Sequence, residues 1–214
     1  MHSSAPVLQA QDLCFGYFPA PAPLLFDRLC LVLPPGVTWV GGDESSGKTT
    51  LLQLLAGALP VNAVRGEVRL LGLCLTQDRP AYLQQVAWLD PRDAARDAQT
   101  ARQIFATLAQ QRPGCDLDAL QAHIAGLSLT PHLDKALSML STGTRRKVLL
   151  AATLAARATL TLLDQPFKAL DRPSIDYLLK VLADAARHPQ RTWLVADYAA
   201  PGNVALSGTI ELRA

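Results

Sequence analysis

The segment Gly42-Asp43-Glu44-Ser45-Ser46-Gly47-Lys48-Thr49 constrains this chain more than any other. It follows the pattern G-x-x-x-x-G-K-[ST], whose glycines let the backbone wrap closely so that several N–H groups point at one phosphate. Lys48 would place its charge on the outer phosphates of a polyphosphate, and the Thr49 hydroxyl would ligate Mg²⁺. Such a loop needs a buried strand before it and a helix after it, whose positive dipole end adds to the anion site. Both flanks fit: Val37–Gly41 is a short apolar run, and Thr49–Leu59 is apolar with Gly57 near its end, a signal for a helix C-terminus. The phosphate contacts expected are Gly42, Ser45, Ser46, Gly47, Lys48, Thr49 and Thr50. Asp43 and Glu44 are unusual here, because carboxylates beside bound polyphosphate weaken its binding.

A second feature supports the first. Leu160-Thr161-Leu162-Leu163-Asp164 is an apolar strand that delivers a carboxylate at its end. In nucleoside triphosphatases an Asp in this place holds Mg²⁺, directly or through water. Alone it is a weak signal; downstream of the phosphate loop it names Asp164, with Thr49, as the Mg²⁺ pair.

Other segments place these two in a fold. Val7–Tyr17, Leu29–Leu33, Glu67–Leu71, Val86–Leu89 and Thr192–Ala196 read as strands. Pro19-Ala20-Pro21-Ala22-Pro23 removes three backbone donors and reads as a loop. Gly143–Arg157 and Pro173–Arg187 read as helices, and two short strands, near Asn203–Leu206 and Thr209–Leu212, are expected to close the chain. From Pro91 to about Leu140 the sequence turns rich in Ala, Gln, Asp and Arg at helical spacing, which reads as a small helical subdomain. Strands alternating with helices give an α/β fold with a largely parallel sheet, an antiparallel part, and this helical insertion. The expected division is one domain, with a core of residues 1–90 and 141–214 around the insertion.

Composition excludes several classes. The net charge is only +2 and aromatics are 6%, so neither a basic footprint nor stacking platforms point to nucleic acid. Cys14, Cys30, Cys74 and Cys115 are widely separated, without metal-site or redox spacing, and suit a reducing compartment. No run approaches the ~18 apolar residues of a membrane span, and Met1–Pro6 does not open like a secretory leader. The chain is expected to be soluble, on the cytoplasmic side, meeting a membrane only through partner subunits. Charged residues make up 18%, below the usual share of about 25%. Apolar surface covered by partners accounts for this, and so does a plain Ala/Leu-rich helical composition.

The order of motifs resembles the ATP-binding subunit of ABC transporters over nearly the whole chain. Phe15-Gly16-Tyr17 looks like the segment whose aromatic stacks on adenine, which would make Tyr17 the platform. An ordinary strand aromatic is the plainer reading of the same residue. Leu140-Ser141-Thr142-Gly143-Thr144 is similar to the family's signature loop, usually LSGGQ; Ser141 and Gly143 match, while Thr142 and Thr144 depart. Ala169-Leu170-Asp171 resembles the D-loop. The resemblance implies ATP and Mg²⁺ as cofactors, a P-loop NTPase fold, and two ATP-binding domains that sandwich ATP head to tail. Each ATP would lie between one phosphate loop and the other chain's signature loop, and closure would move a transmembrane permease subunit met by residues from about 91 to 140. The compact length is similar to small cassettes of exporter-type and cytochrome-maturation systems.

Three positions depart from the family's water-handling set. Gln165 stands where the general-base Glu is usual; an amide orients water but cannot accept its proton. Asp197 stands where a His usually contacts the γ-phosphate. Asp90 and Pro91 follow Val86-Ala87-Trp88-Leu89, where the Q-loop Gln is usual. The reading is therefore ATP binding with weak hydrolysis, unless Asp171 or Asp90 substitutes as the base. It leaves open a transporter ATPase, the degenerate half of a heterodimer, and a soluble ABC ATPase outside transport.

Overall fold

The computed structural model describes residues 6–17, 24–60, 64–90 and 92–212. The Pro19–Pro23 loop, Pro91 and the first five residues, read above from sequence, lie outside them.

Among the described residues the strands form two sheets. One is antiparallel, ordered β2-β1-β4-β5, from β1 (Leu8–Phe15), β2 (Phe26–Leu33), β4 (Val64–Leu70) and β5 (Leu73–Cys74). The other is ordered β6-β7-β8-β3-β9, from β3 (Gly36–Gly41), β6 (Val86–Ala87), β7 (Leu160–Asp164), β8 (Thr192–Ala196) and β9 (Leu206–Glu211). Every pairing in the second sheet is parallel. Its central strands are apolar along their length because both faces are covered. The period-2 alternation sorts their side chains into two cores. Val40, Leu160, Leu162, Leu194 and Ala196 face helix α1 (Lys48–Leu55) and the antiparallel sheet beyond it. Val37, Leu163, Trp193 and Val195 face the opposite layer, built on α5 (Thr142–Ala155) and α6 (Arg172–Ala185). Helix α1 thus lies between the sheets, with Leu51, Leu52, Leu54 and Leu55 almost wholly buried.

The helical middle joins the second core. Short α2 (Arg79–Gln84) precedes β6. Helix α3 (Ala101–Gln111) starts in a capping box, with Gln103 N–H donating to the Thr100 hydroxyl at 3.2 Å and Thr100 N–H to the Gln103 side chain at 2.8 Å. Helix α4 (Leu117–Gly126) starts on Asp116, whose carboxylate accepts from Ala119 N–H. Ala101, Ile104, Phe105, Leu120 and Ile124 pack against Val148 to Ala155 of α5.

The α/β class, the parallel sheet and the antiparallel part agree with the sequence reading; local details differ. Among the described residues the last segment holds one strand, Leu206–Glu211, instead of two, because Asn203 takes a left-handed φ of 60° in a turn. The strand expected over Val86–Leu89 stops at Ala87. The strand expected over Glu67–Leu71 starts earlier, at Val64, and stops at Leu70, where Leu71 and Gly72 take positive φ in a turn to β5. Helix α1 ends at Leu55, and Gly57 follows at φ 66°.

Candidate phosphate-binding site

Three strands that end side by side position the site. β8 lies between β3 and β7, and Ala196 pairs with Val40 on one side and Asp164 on the other. The phosphate loop after β3, Asp164 at the end of β7 and Asp197 after β8 therefore share the carboxyl edge of the sheet, where α/β folds place ligands.

The loop's backbone explains its residue types. Gly42 has φ 147°, and a Cβ there would come within 2.6 Å of the Leu212 carbonyl. Gly47 has φ 93° and acts as the N-cap of α1. Ser45 takes the left-handed conformation at φ 63° without being glycine, at a cost of about 1–2 kcal/mol. Lys48, 6% exposed, curls back so that Nζ donates to the carbonyls of Gly42 at 2.5 Å and Asp43 at 2.7 Å. Its ammonium also lies 4.5 Å from the centre of the Tyr198 ring, a favourable cation–π distance.

The predicted Mg²⁺ pair meets: Thr49 Oγ1 donates to Asp164 Oδ2 at 2.8 Å. The other oxygen, Asp164 Oδ1, is buried without a hydrogen-bond partner among the described residues, as is the Ser46 hydroxyl. A buried carboxylate oxygen left bare is costly, and hard oxygen donors of this kind are what Mg²⁺ accepts. The residues present therefore fit the ion. Arg146 fixes the end of β7 from α5, donating from one guanidinium nitrogen to the carbonyls of Asp164 at 3.0 Å and Gln165 at 2.6 Å.

A cleft of about 530 Å³ opens over the loop, lined by Tyr17, Leu25, residues 44–50, Arg92, Gln165 and Tyr198. Tyr17 is half exposed, with its ring edge-on to Phe15 and its hydroxyl 2.5 Å from Thr50 Oγ1. Gln165, at φ 45°, is turned into the cleft while its N–H holds the Ala196 carbonyl at 2.8 Å.

Two sequence expectations are redrawn. Asp197 is not in the cleft wall; Tyr198 takes that place, and Asp197 accepts from Tyr198 N–H at 2.8 Å. Burial raises the Asp197 carboxyl above its ordinary range, and Asp164 adds to the rise against the charges of Arg146 and Lys48. Asp90 and Asp171, weighed as stand-in bases, are already engaged. Burial works to raise Asp90, but its hydrogen bonds with Arg92 outweigh that and hold it below the ordinary carboxylate value. Asp171 caps α6 and binds Lys147 at 2.9 Å, and its hydrogen bond with Ser174 and then that with Lys147 lower it to about 2.

The Ser141–Thr144 loop forms the start of α5 and does not line the cleft. Ser141 is the N-cap, accepting from Thr144 N–H at 3.2 Å, with the two hydroxyls 2.9 Å apart. Thr142 opens the first turn. Gly143 packs so tightly that a Cβ would lie 2.3 Å from the Ala169 carbonyl. Sequence reasoning missed Arg92 and Tyr198 as cleft residues, and Arg146 as the clamp on β7. Tyr198 adjoins a position already singled out, and Arg92 lies two residues past Asp90, so local spacing was the available signal.

The family described as "ABC transporter" matches residues 29–168. Among curated relatives, the "Cytochrome c biogenesis ATP-binding export protein CcmA" of Nitrosococcus oceani is 32% identical over 192 residues, covering 89% of this chain and 86% of the relative. The protein of the same name from Escherichia coli K12 is 35% identical, covering 74% and 75%. That from Alkalilimnicola ehrlichii is 36% identical, covering 72% of this chain and 64% of the relative. Among solved structures, "Putative ABC transporter (ATP-binding protein) from Pyrococcus furiosus" superposes with TM-score 0.73 at 22% identity, covering 96% of both chains, and shares the fold. "Structure of ATP binding subunit of ABC transporter" reaches TM-score 0.76 at 20% identity, covering 89% of this chain and 79% of the other. The fold and the phosphate loop define an ATP-binding domain of the P-loop class. The chain belongs to the ABC transporter family, as one of its ATP-binding subunits.

Proposed function

We propose that this chain binds ATP-Mg²⁺ at the Gly42–Thr49 loop and uses that binding, with slow hydrolysis, to drive a membrane partner. One observation carries the reading. Thr49 donates to Asp164, whose other oxygen is buried without a hydrogen-bond partner among the described residues, while the next residue, which lines the cleft, is an amide, Gln165. This supports a site that binds ATP-Mg²⁺ without a carboxylate base at residue 165. Mg²⁺ held by Thr49 and Asp164 would neutralise charge on the outer phosphates. Lys48 would leave its two carbonyls for the phosphates, Tyr17 would offer its face to adenine, and Gln165 would orient water by hydrogen bonding without taking its proton.

For the partner surface we propose the helical insertion. A groove of about 200 Å³ lies between β6 and α3, lined among others by Trp88, Leu89, Arg96, Ile104, Leu108 and Arg112. Arg112 ties the end of α3 to the carbonyls of Leu83, Gln84 and Val86. We place the transmembrane subunit here, on the helical insertion spanning about residues 91 to 140. Among the described residues no helix is long and apolar enough to cross a membrane; we propose that contact with the bilayer runs through that subunit, at the inner face. The names of the curated relatives make export in cytochrome c biogenesis the transport process we propose.

A second reading, the degenerate half of a heterodimer, is favoured by the Ser141–Thr144 loop. It is well formed, capped and tightly packed, yet it lies outside the chain's own cleft. It would complete a partner's ATP site through Ser141, Gly143 and the N-terminus of α5. Asp171 sits in the same region, bound to Lys147 of α5.

Steady-state ATPase turnover with and without Gln165→Glu tests the catalytic claim. Slow wild-type turnover, raised about 10²-fold or more by the substitution, is expected, since a general base contributes roughly 10²–10⁴-fold. Wild-type turnover already fast, and unchanged by the substitution, would overturn it.

A further inference from the structure

Two cations line the phosphate cleft, Lys48 and Arg92. Lys48 belongs to the loop itself; Arg92 reaches the cleft from the segment that follows β6. A single carboxylate holds Arg92: the Asp90 side chain accepts the Arg92 backbone N–H at 2.9 Å, Nε at 3.2 Å and Nη2 at 3.4 Å. Nη1 has no partner among the described residues. The Arg92 side chain is 58% exposed and that of Asp90 20%, so the anchor is the more fixed of the two.

The charge of the site asks for such a group. Glu44 lines the cleft, and Asp164 and Asp197 stand at the strand ends beside it. Against a triphosphate these anions leave Lys48 as the loop's only cationic side chain. A guanidinium is planar, always charged, and matches phosphate oxygens two at a time. A half-exposed ion pair is weak, so exchanging Asp90 for phosphate is easy.

We propose that Arg92 is a phosphate-binding residue that grips the terminal phosphate of the bound nucleotide and gives the site its preference for triphosphate over diphosphate. Asp90 acts as a positioning residue that aims the guanidinium into the cleft. This rests on the reading of the Gly42–Thr49 loop as the ATP site.

Calorimetric titration of Mg-ATP and Mg-ADP into the wild type, Arg92→Gln, Arg92→Lys and Lys48→Ala tests the proposal. Arg92→Gln is expected to lose about ten-fold in ATP affinity and less than two-fold for ADP, with Arg92→Lys between, because lysine keeps the charge and loses the fork. Unchanged affinities, or equal losses for ATP and ADP, would overturn it, whatever Arg92→Gln does to thermal stability; if that variant does not fold, Arg92→Lys carries the same comparison. The two claims fail separately. A wild type that binds no ATP, or a Lys48→Ala variant that binds normally, refutes the site itself. Loss of ATP binding in Lys48→Ala together with a wild-type ATP-to-ADP ratio in the Arg92 variants refutes only the role of Arg92.

Discussion

Ser45 and Asp197 show how single residues in this site trade stability against function. Ser45 holds a left-handed backbone that glycine adopts without penalty. Replacing it by glycine removes the steric cost but adds chain entropy to the unfolded state, for a net gain of about 0.5 kcal/mol. Thermal unfolding of Ser45→Gly should therefore show a midpoint about 1–2 °C higher; a lower midpoint would mean the loop is not strained there. Asp197 works in the other direction. Its carboxyl is raised in the folded protein by burial first and Asp164 next. The protonated form is thus favoured on folding. That contribution is fully present below the unfolded value of about 3.9 and is lost as pH rises through the folded pKa. Asp197→Asn should be the more stable protein at neutral pH and should bind ATP about five-fold tighter, since one like charge is gone. The ratio of the two affinities should approach one as pH falls through the raised pKa. A ratio independent of pH would place the Asp197 charge out of reach of the phosphates.

At the scale of elements, α5 links the signature-like loop to the strand that carries Asp164. Its first turn is capped by Ser141, its second places Arg146 on the carbonyls of Asp164 and Gln165, and Lys147 binds Asp171 at the start of α6. Arg145 adds a pairing with Asp97 in the helical middle. Gly143 lets this helix approach residue 169 within a distance no side chain tolerates. Gly143→Ala should push the elements apart and cost about 1–3 kcal/mol, read as a lower denaturation midpoint. An unchanged midpoint would show that the contact yields freely. These links explain what the sequence could and could not reveal. Runs such as Leu160–Asp164 and Thr192–Ala196 are legible because strands buried on both faces must be apolar throughout. The loop at Gly42 is legible because its backbone demands glycine at fixed spacing. Arg146 and Arg92 were not, because a long side chain that reaches across 18 residues to a carbonyl, or into a cleft from a neighbouring loop, leaves no periodic trace. The strand at Val86 was legible but its shortness was not: its last two expected residues, Trp88 and Leu89, instead line the groove beside α3.

Among the described residues the cleft over the phosphate loop opens at the carboxyl edge of the parallel sheet and a groove lies beside α3; Trp88 and Leu89 line the groove and Arg92 lines the cleft. Arg92 follows the groove residues closely in sequence, so on the readings proposed above ATP binding and partner docking would share a stretch of chain. Because ligand binds only the folded state, ATP at 100 times its dissociation constant should stabilise the fold by about 2.7 kcal/mol. For a domain of this size the melting temperature should rise roughly 5–10 °C, and that of Lys48→Ala by no more than about 1–2 °C. A wild-type midpoint that ignores ATP would argue against a cleft that closes on nucleotide. The central claim is that this chain binds ATP through the lysine of its phosphate loop. Calorimetric titration of Mg-ATP into the wild type and Lys48→Ala tests it most directly. Saturable binding by the wild type that weakens at least about 100-fold in the variant, in line with losing a charge-assisted phosphate contact, is the result predicted; equal affinities in the two proteins would contradict it.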